Sequence, residues 1–182
     1  PDALFRWSLQ VQMQTHVQAV LERLRVTPGA ADAATGKRTV KLSYVPPTAP
    51  PEAVVSLLDL QHPENDRFVR EIPSVLAAAE LRAERYHEIQ TQADGAWGYW
   101  RALYPMRPEL LPQTQMLLDV AVECCPYIGM RFKHAYAGLR PYELSPEVQP
   151  LIPTPGHASF PMGHAAQNFA VAALLAYIVR GL

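Results

Sequence analysis

The residues of this sequence that could do chemistry are a spaced cationic pair, a rigid loop and a histidine heading an apolar run. Lys133 is followed after six residues by Arg140, which Pro141 restrains. The chain then passes through RPYELSPEVQPLIPTPGHASFPMG to Gly163 and His164, where the apolar run begins. If that run is a helix, its start offers unpaired backbone N–H groups and the positive end of a dipole to an anion. Gly163 lets an oxyanion come close to the backbone. Arg140 contributes a planar fork of donors and Lys133 a point charge, a pair suited to a tetrahedral oxyanion. Histidine is the side chain that exchanges a proton near neutral pH. Together these parts predict a cradle for phosphate or an analogue, with His164 as a general acid beside it. Each part also has a plainer role open to it: a solvated cation at a helix end, or a histidine that caps or packs.

The other histidines have simpler readings. His134 adjoins Lys133 and is placed behind the site as a supporting residue. His157 stands on the loop, where bracing the loop is its expected role and standing in for a second catalytic histidine the alternative. His16, His62 and His87 lie in separate segments without metal-ligand spacing and read as surface or packing residues. Cys124 and Cys125 are adjacent, and adjacent cysteines pair only with strain, so they read as free thiols on a buried helix face. Two reduced thiols lean toward a reducing, cytoplasmic compartment. A second cysteine pair at zinc spacing is lacking, so no metal site is expected.

Composition bounds the rest. The 182 residues are enough for one core, and a single domain over residues 1–182 is expected. Hydrophobic residues make up 49%, charged residues 18%, and the net charge is −1, which points away from disorder, nucleic acid and charged lipid surfaces. Eighteen prolines are about twice the usual share and predict pinned loops between helices. There is no internal repeat. The chain begins at Pro1 without a signal-peptide pattern, and its apolar run stops at Leu182 without an evident cap. A processed or truncated N-terminus and a fragment of a longer protein are therefore expected. The run from Phe169 to Val179 is too short for a bilayer, which needs about 20 residues, and reads as a core helix.

The elements that must position the site are mainly helical. Phe5, Trp7, Leu9, Val11 and Met13 alternate with polar residues and predict a strand, with a helix as the alternative because VQAVLERL follows at helical spacing. RTVKLSYV alternates through Val40, Leu42 and Tyr44, so a small N-terminal strand pair is expected. VPPTAPPEAVVSLLDL reads as a proline-stiffened loop entering a short helix. A long helix is expected from a Ser74 cap to ADG, with Pro73 blocking its extension backwards. Another starts at Pro112 and runs past a kink at Pro126 into YIGMRFKHAYAGL. Trp97, Tyr99, Trp100 and Tyr104 before it read as core filling, or alternatively as a ligand platform. Residues 140–163 read as a long loop, of the length that is usually functional, kept from disorder by six prolines.

KHAYAGLRP resembles the first signature of the vanadium-dependent haloperoxidase and type-2 phosphatidic acid phosphatase superfamily: Lys, six residues, then Arg-Pro. TPGHASFPMGHAAQNFAVAALL is similar to its second, normally Pro-Ser-Gly-His at the start of a core helix. LSPEVQPLIPTPGHASF looks like the soluble bacterial members related to haloperoxidases. The close likeness covers roughly residues 130–175. It implies a mainly α fold, a helical bundle of the haloperoxidase and acid phosphatase type. It implies that Lys133, Arg140 and the Gly163 N–H bind oxygens of phosphate or vanadate, and that His164 is the acid–base histidine. With vanadate as cofactor the substrates would be peroxide and a halide; without it, a phosphate ester. Association with a second copy, or with a missing C-terminal part, is the partner expectation.

Two departures bear on the reaction. The family's third signature, Arg then His after five residues, supplies the nucleophile or vanadium ligand, and no histidine follows His164 here. This chain alone is therefore expected to be inactive, and a non-catalytic scaffold is the rival reading. Met162 stands where the family has Ser. A thioether cannot donate, and losing one hydrogen bond to a charged group costs about 1.5–3 kcal/mol, roughly 10- to 100-fold in affinity. A thioether beside peroxide is also an oxidation target, which favours phosphoryl chemistry over halide oxidation. Alternatively, Met162 points into the core and leaves the anion site unaffected.

Overall fold

The computed structural model describes residues 8–181 except 36, 64, 94 and 105. The described chain is mostly helical, with one small antiparallel sheet near its start. Helix α5 (Pro112–Tyr136) is the axis of the fold. Pro112 suits its first turn, where a missing N–H leaves no intrahelical bond unmade. Met116, Val120 and Cys124 recur every four residues and form one buried stripe. That stripe receives Val17 of α1 (Leu9–Leu21), with Met13 and Leu21 a turn to either side. Leu118 and Val122 face another way and pack with Val171 and Leu175 of α7 (Gly163–Arg180). Met106, Trp97, Trp100 and Tyr104 close this second cluster from α4 (Trp97–Leu103) and the segment after it. The aromatic group thus fills core, except that Tyr99 is exposed.

Pro126 lies inside α5 as expected, and it removes the N–H that would bond the Val122 carbonyl. Gln167 of α7 answers this: its Nε2 donates to that carbonyl at 3.4 Å. Both thiols stay un-ionised at neutral pH. Burial, with Cys125 and Glu123 nearby, pushes Cys124 up to about 11, and burial alone raises Cys125.

The sheet differs from the expected strand pair. Strands β1 (Leu24–Ala31), β2 (Arg38–Tyr44) and β3 (Val55–Gln61) pair antiparallel in the order β1-β2-β3. Val26 faces Leu42, Val40 faces Leu60, and a bulge falls between Leu42 and Ser43. The alternating stretch from Leu9 is helical, capped by Ser8 Oγ on the Val11 N–H, because Met13, Val17 and Leu21 at spacing four meet α5. Phe5 and Trp7 lie outside the described residues. The segment expected to enter a helix is strand β3, since pairing with β2 satisfies its backbone. Helix α2 (Asn65–Ala79) contains Pro73 instead of starting after it. The chain then makes a 3-10 turn over Glu80–Arg82 before α3 (Tyr86–Ala93), so the single long helix is divided.

Helix α7 corrects a further expectation. It buries only one stripe: Phe169 is 78% exposed, with Tyr177 and Val179 exposed as well. It is also capped, by Gly181 at φ 67, whose N–H returns to the carbonyls of Tyr177 and Ile178. Among the described residues no helix is long and apolar enough to cross a membrane.

Candidate oxyanion site

Helix α5 ends at Tyr136, where Ala137 adopts a left-handed conformation and its N–H bonds the Lys133 carbonyl at 2.8 Å. This stop turns the chain so that Arg140 heads the short helix α6 (Pro141–Leu144), with its backbone N–H bonded to Glu143 Oε2. Gly138 lies between these points, where a side chain would press on its neighbours. A Cβ there would meet His62 Nε2 at 3.2 Å and Ser159 Oγ at 3.3 Å. The loop that follows is pinned at several points. Arg82 donates to the Gln149 carbonyl at 2.8 Å, and Ser159 Oγ donates to the Leu139 carbonyl at 2.6 Å.

The two cations converge on one short stretch of this loop. Lys133 is only 5% exposed, and its Nζ donates to the carbonyls of Ala158 at 2.8 Å and Ser159 at 3.0 Å. Arg140 donates to the His157 carbonyl from Nε at 2.9 Å and from Nη2 at 2.6 Å. Its Nη2 also lies 3.1 Å from His157 Nδ1, so His157 is held as part of the loop's bracing. Among the described residues neither cation has a carboxylate partner. Burial, and then the neighbouring Arg140, hold the Lys133 ammonium below the usual lysine range. Two like charges kept close, with no carboxylate paired to either among the described residues, make this a place of strong positive potential.

A cleft of about 720 Å³ opens here. Lys133, Arg140, His157, Met162, Gly163 and His164 are among its lining residues, beside the apolar Met130, Pro126, Ile152 and Pro153. The expected set is thus assembled around one space, with one exception. His134 is exposed and lines a different groove with Arg38 and Tyr136, because neighbouring helical residues diverge. His164 is exposed, and among the described residues its ring makes no hydrogen bond. Its backbone is positioned by residues that sequence reasoning missed. Trp100 Nε1 donates to Asn168 Oδ1 at 2.6 Å, and Asn168 Nδ2 donates to the His164 carbonyl at 2.8 Å. A polar Asn168 inside an apolar run was the available signal.

Met162 precedes α7 as its N-cap, with no side-chain hydrogen bond to the helix. It is 64% exposed at the cleft, so it does not point into the core. The first N–H groups of α7 therefore lack a side-chain acceptor from the N-cap residue, which lines the cleft. Met162→Ser should add a cap worth about 1 kcal/mol of stability, and its hydroxyl should tighten phosphate binding about tenfold. Chemical denaturation and phosphate titration of the two proteins check both.

A ring cluster holds the loop's far side. His62, after β3, lies 5.1 Å from the Tyr136 ring, 5.6 Å from Phe68 and 5.7 Å from Phe160 between centroids. Its Nε2 is buried without a partner among the described residues. Burial lowers its pKa in the folded chain, so the unfolded chain takes the proton first. Stability should be full above the ordinary imidazole pKa, about 6.5, and should fall as pH drops below it toward the lowered folded value. Denaturation midpoints between pH 7.5 and 5 check this, since His62→Leu should flatten the slope.

Among the described residues no group of three His, Cys, Asp or Glu side chains could hold a metal ion. No family model, curated protein or solved structure matches the chain.

Proposed function

We propose that the cleft is the binding site for a tetrahedral oxyanion, phosphate or vanadate, in an enzyme related to vanadium-dependent haloperoxidases, with the helical-bundle fold of that superfamily. The observation that carries this reading is the convergence of Lys133 and Arg140, without a carboxylate, beside an uncapped helix start and an exposed histidine. This donor set fits a trigonal or tetrahedral oxyanion. Lys133 keeps one N–H beyond its two carbonyl bonds, and Arg140 keeps its Nη1 donors. Lys133 and Arg140 neutralise the anion's charge, the Gly163 N–H orients one oxygen, and His164 delivers a proton to the departing oxygen. Vanadate, when bound, would supply activation of peroxide for halide oxidation. The family's further histidine has no counterpart after His164 in this sequence.

Acid phosphatase activity on a phosphate monoester is the second reading, and the exposed Met162 favours it. A thioether open to the cleft would be oxidised by an activated peroxide. The test is to assay the full protein for bromination with vanadate, peroxide and bromide, and in parallel for phosphate-ester hydrolysis. Bromination with Met162 left as the thioether supports the first reading; hydrolysis without bromination supports the second. Neither activity, together with no anion binding, would overturn both.

A further inference from the structure

A second groove, of about 720 Å³, shares no lining residue with the cleft. Lys37 and Arg38 come to it from the turn into β2, Asp66 from the first turn of α2, and His134 and Tyr136 from the end of α5. It adjoins a smaller concavity of about 340 Å³ that shares Lys37 and His62 and adds Arg67 and Arg70. The chain as a whole carries a net charge of −1, so four cationic side chains set against the lining carboxylate of Asp66 are a local excess of positive charge.

The cations are unevenly committed. Arg38 is fixed at the groove wall by one Nη1 bond to the Ala135 carbonyl at 3.1 Å, which leaves its other donors. Arg67 pairs with Glu71 at 2.8 Å, but both side chains are more than half exposed, and such a pair is weak and exchangeable. Lys37 has a partner of its own, so the grip falls to the arginines. Arg70 has no ion-pair partner among the described residues. Helix α2, 15 residues long, begins here and adds the positive end of its dipole.

We propose that this groove binds a small polyanion carrying two or more phosphate groups, gripped by Arg38, Arg67 and Arg70. A single phosphate would engage one part of two connected concavities, whereas linked phosphates reach cations on both β2 and α2. The groove recognises the phosphates and not an attached base. Its aromatic residues, His62 and Tyr136, already have their faces in the ring cluster with Phe68 and Phe160, so no stacking platform is free.

Calorimetric titration of the whole protein with inorganic pyrophosphate, at low and at physiological salt, tests this. A saturable site that weakens with salt is expected. Arg70→Gln, at an exposed position, should weaken it about tenfold, Arg70→Lys should retain most of it, and Arg101→Gln, at an exposed position of α4 outside the groove, should leave it unchanged. ATP should bind like pyrophosphate, and adenosine should not bind. The proposal fails if there is no saturable site, or if pyrophosphate binding is lost in Lys133→Gln and kept in Arg70→Gln. It fails also if a duplex oligonucleotide displaces pyrophosphate at far lower concentration, which would make the groove a nucleic-acid surface.

Discussion

Replacing Lys133 by methionine should lower the unfolding free energy by about 2–4 kcal/mol and abolish oxyanion binding in the cleft. The stability loss follows from geometry. The ammonium is 5% exposed and holds two carbonyls of the same loop, so methionine leaves both carbonyls without their charged donor. The shape of the side chain is nearly kept, which makes lost hydrogen bonding the main effect. The loss is partly offset because the buried charge itself is held at a desolvation cost, visible in its lowered pKa. Urea denaturation measures the first effect and phosphate titration the second. A variant of unchanged stability would mean that the carbonyl contacts are not maintained in solution.

The second large effect should come from His164→Ala. Turnover should fall by about 10²–10⁴-fold if this imidazole protonates the leaving oxygen. Stability should change by no more than about 0.5 kcal/mol, because the ring is exposed and makes no hydrogen bond among the described residues. Oxyanion affinity should change little, since the charge that holds the anion sits on Lys133 and Arg140. The steady-state rate constant on a phosphate ester, set beside phosphate affinity, separates these. Equal losses in both would make His164 a binding group and not an acid. Lys133 shapes the site and binds, whereas His164 is dispensable for everything except the proton.

Much of the α5–loop–α7 frame was legible in the sequence. Pro112 and Pro126 sit where their geometry is tolerated, and the four-residue recurrence of Met116, Val120 and Cys124 declares a helix face. Strand β2 showed its alternation as well. The N-terminal stretch misled because Leu9, Val11 and Met13 fit a period of two, while the decisive contacts of Met13, Val17 and Leu21 with α5 fit a period near four. Pro73 misled because the single helical bond it removes, to the Val69 carbonyl, did not outweigh the rest of α2, which runs on either side of it. Strand β3 was hidden because its exposed Val55, Leu57 and Leu58 carry no alternation of burial, its partner β2 being what makes it a strand.

At the site, the residue types and their order were legible, but their partners were not. Backbone carbonyls have no signature in sequence, so nothing foretold that Lys133 and Arg140 would meet the 157–159 carbonyls. Those contacts give the cations a second role as staples of the loop. The two roles are compatible when donors remain for an anion, and they part company in one respect. A pure staple needs no anion, and its protein gains no stability from one. An anion site is stabilised by its ligand in proportion to the logarithm of ligand concentration over Kd.

The most direct test is therefore a titration of the whole protein with orthovanadate and with inorganic phosphate, read by calorimetry and by the shift in thermal unfolding. The expected result is one saturable site that raises Tm, is lost in Lys133→Met, and is unaffected by Arg70→Gln. No saturable binding and no shift in Tm, or binding indifferent to Lys133, would contradict it and leave the cations as loop staples alone.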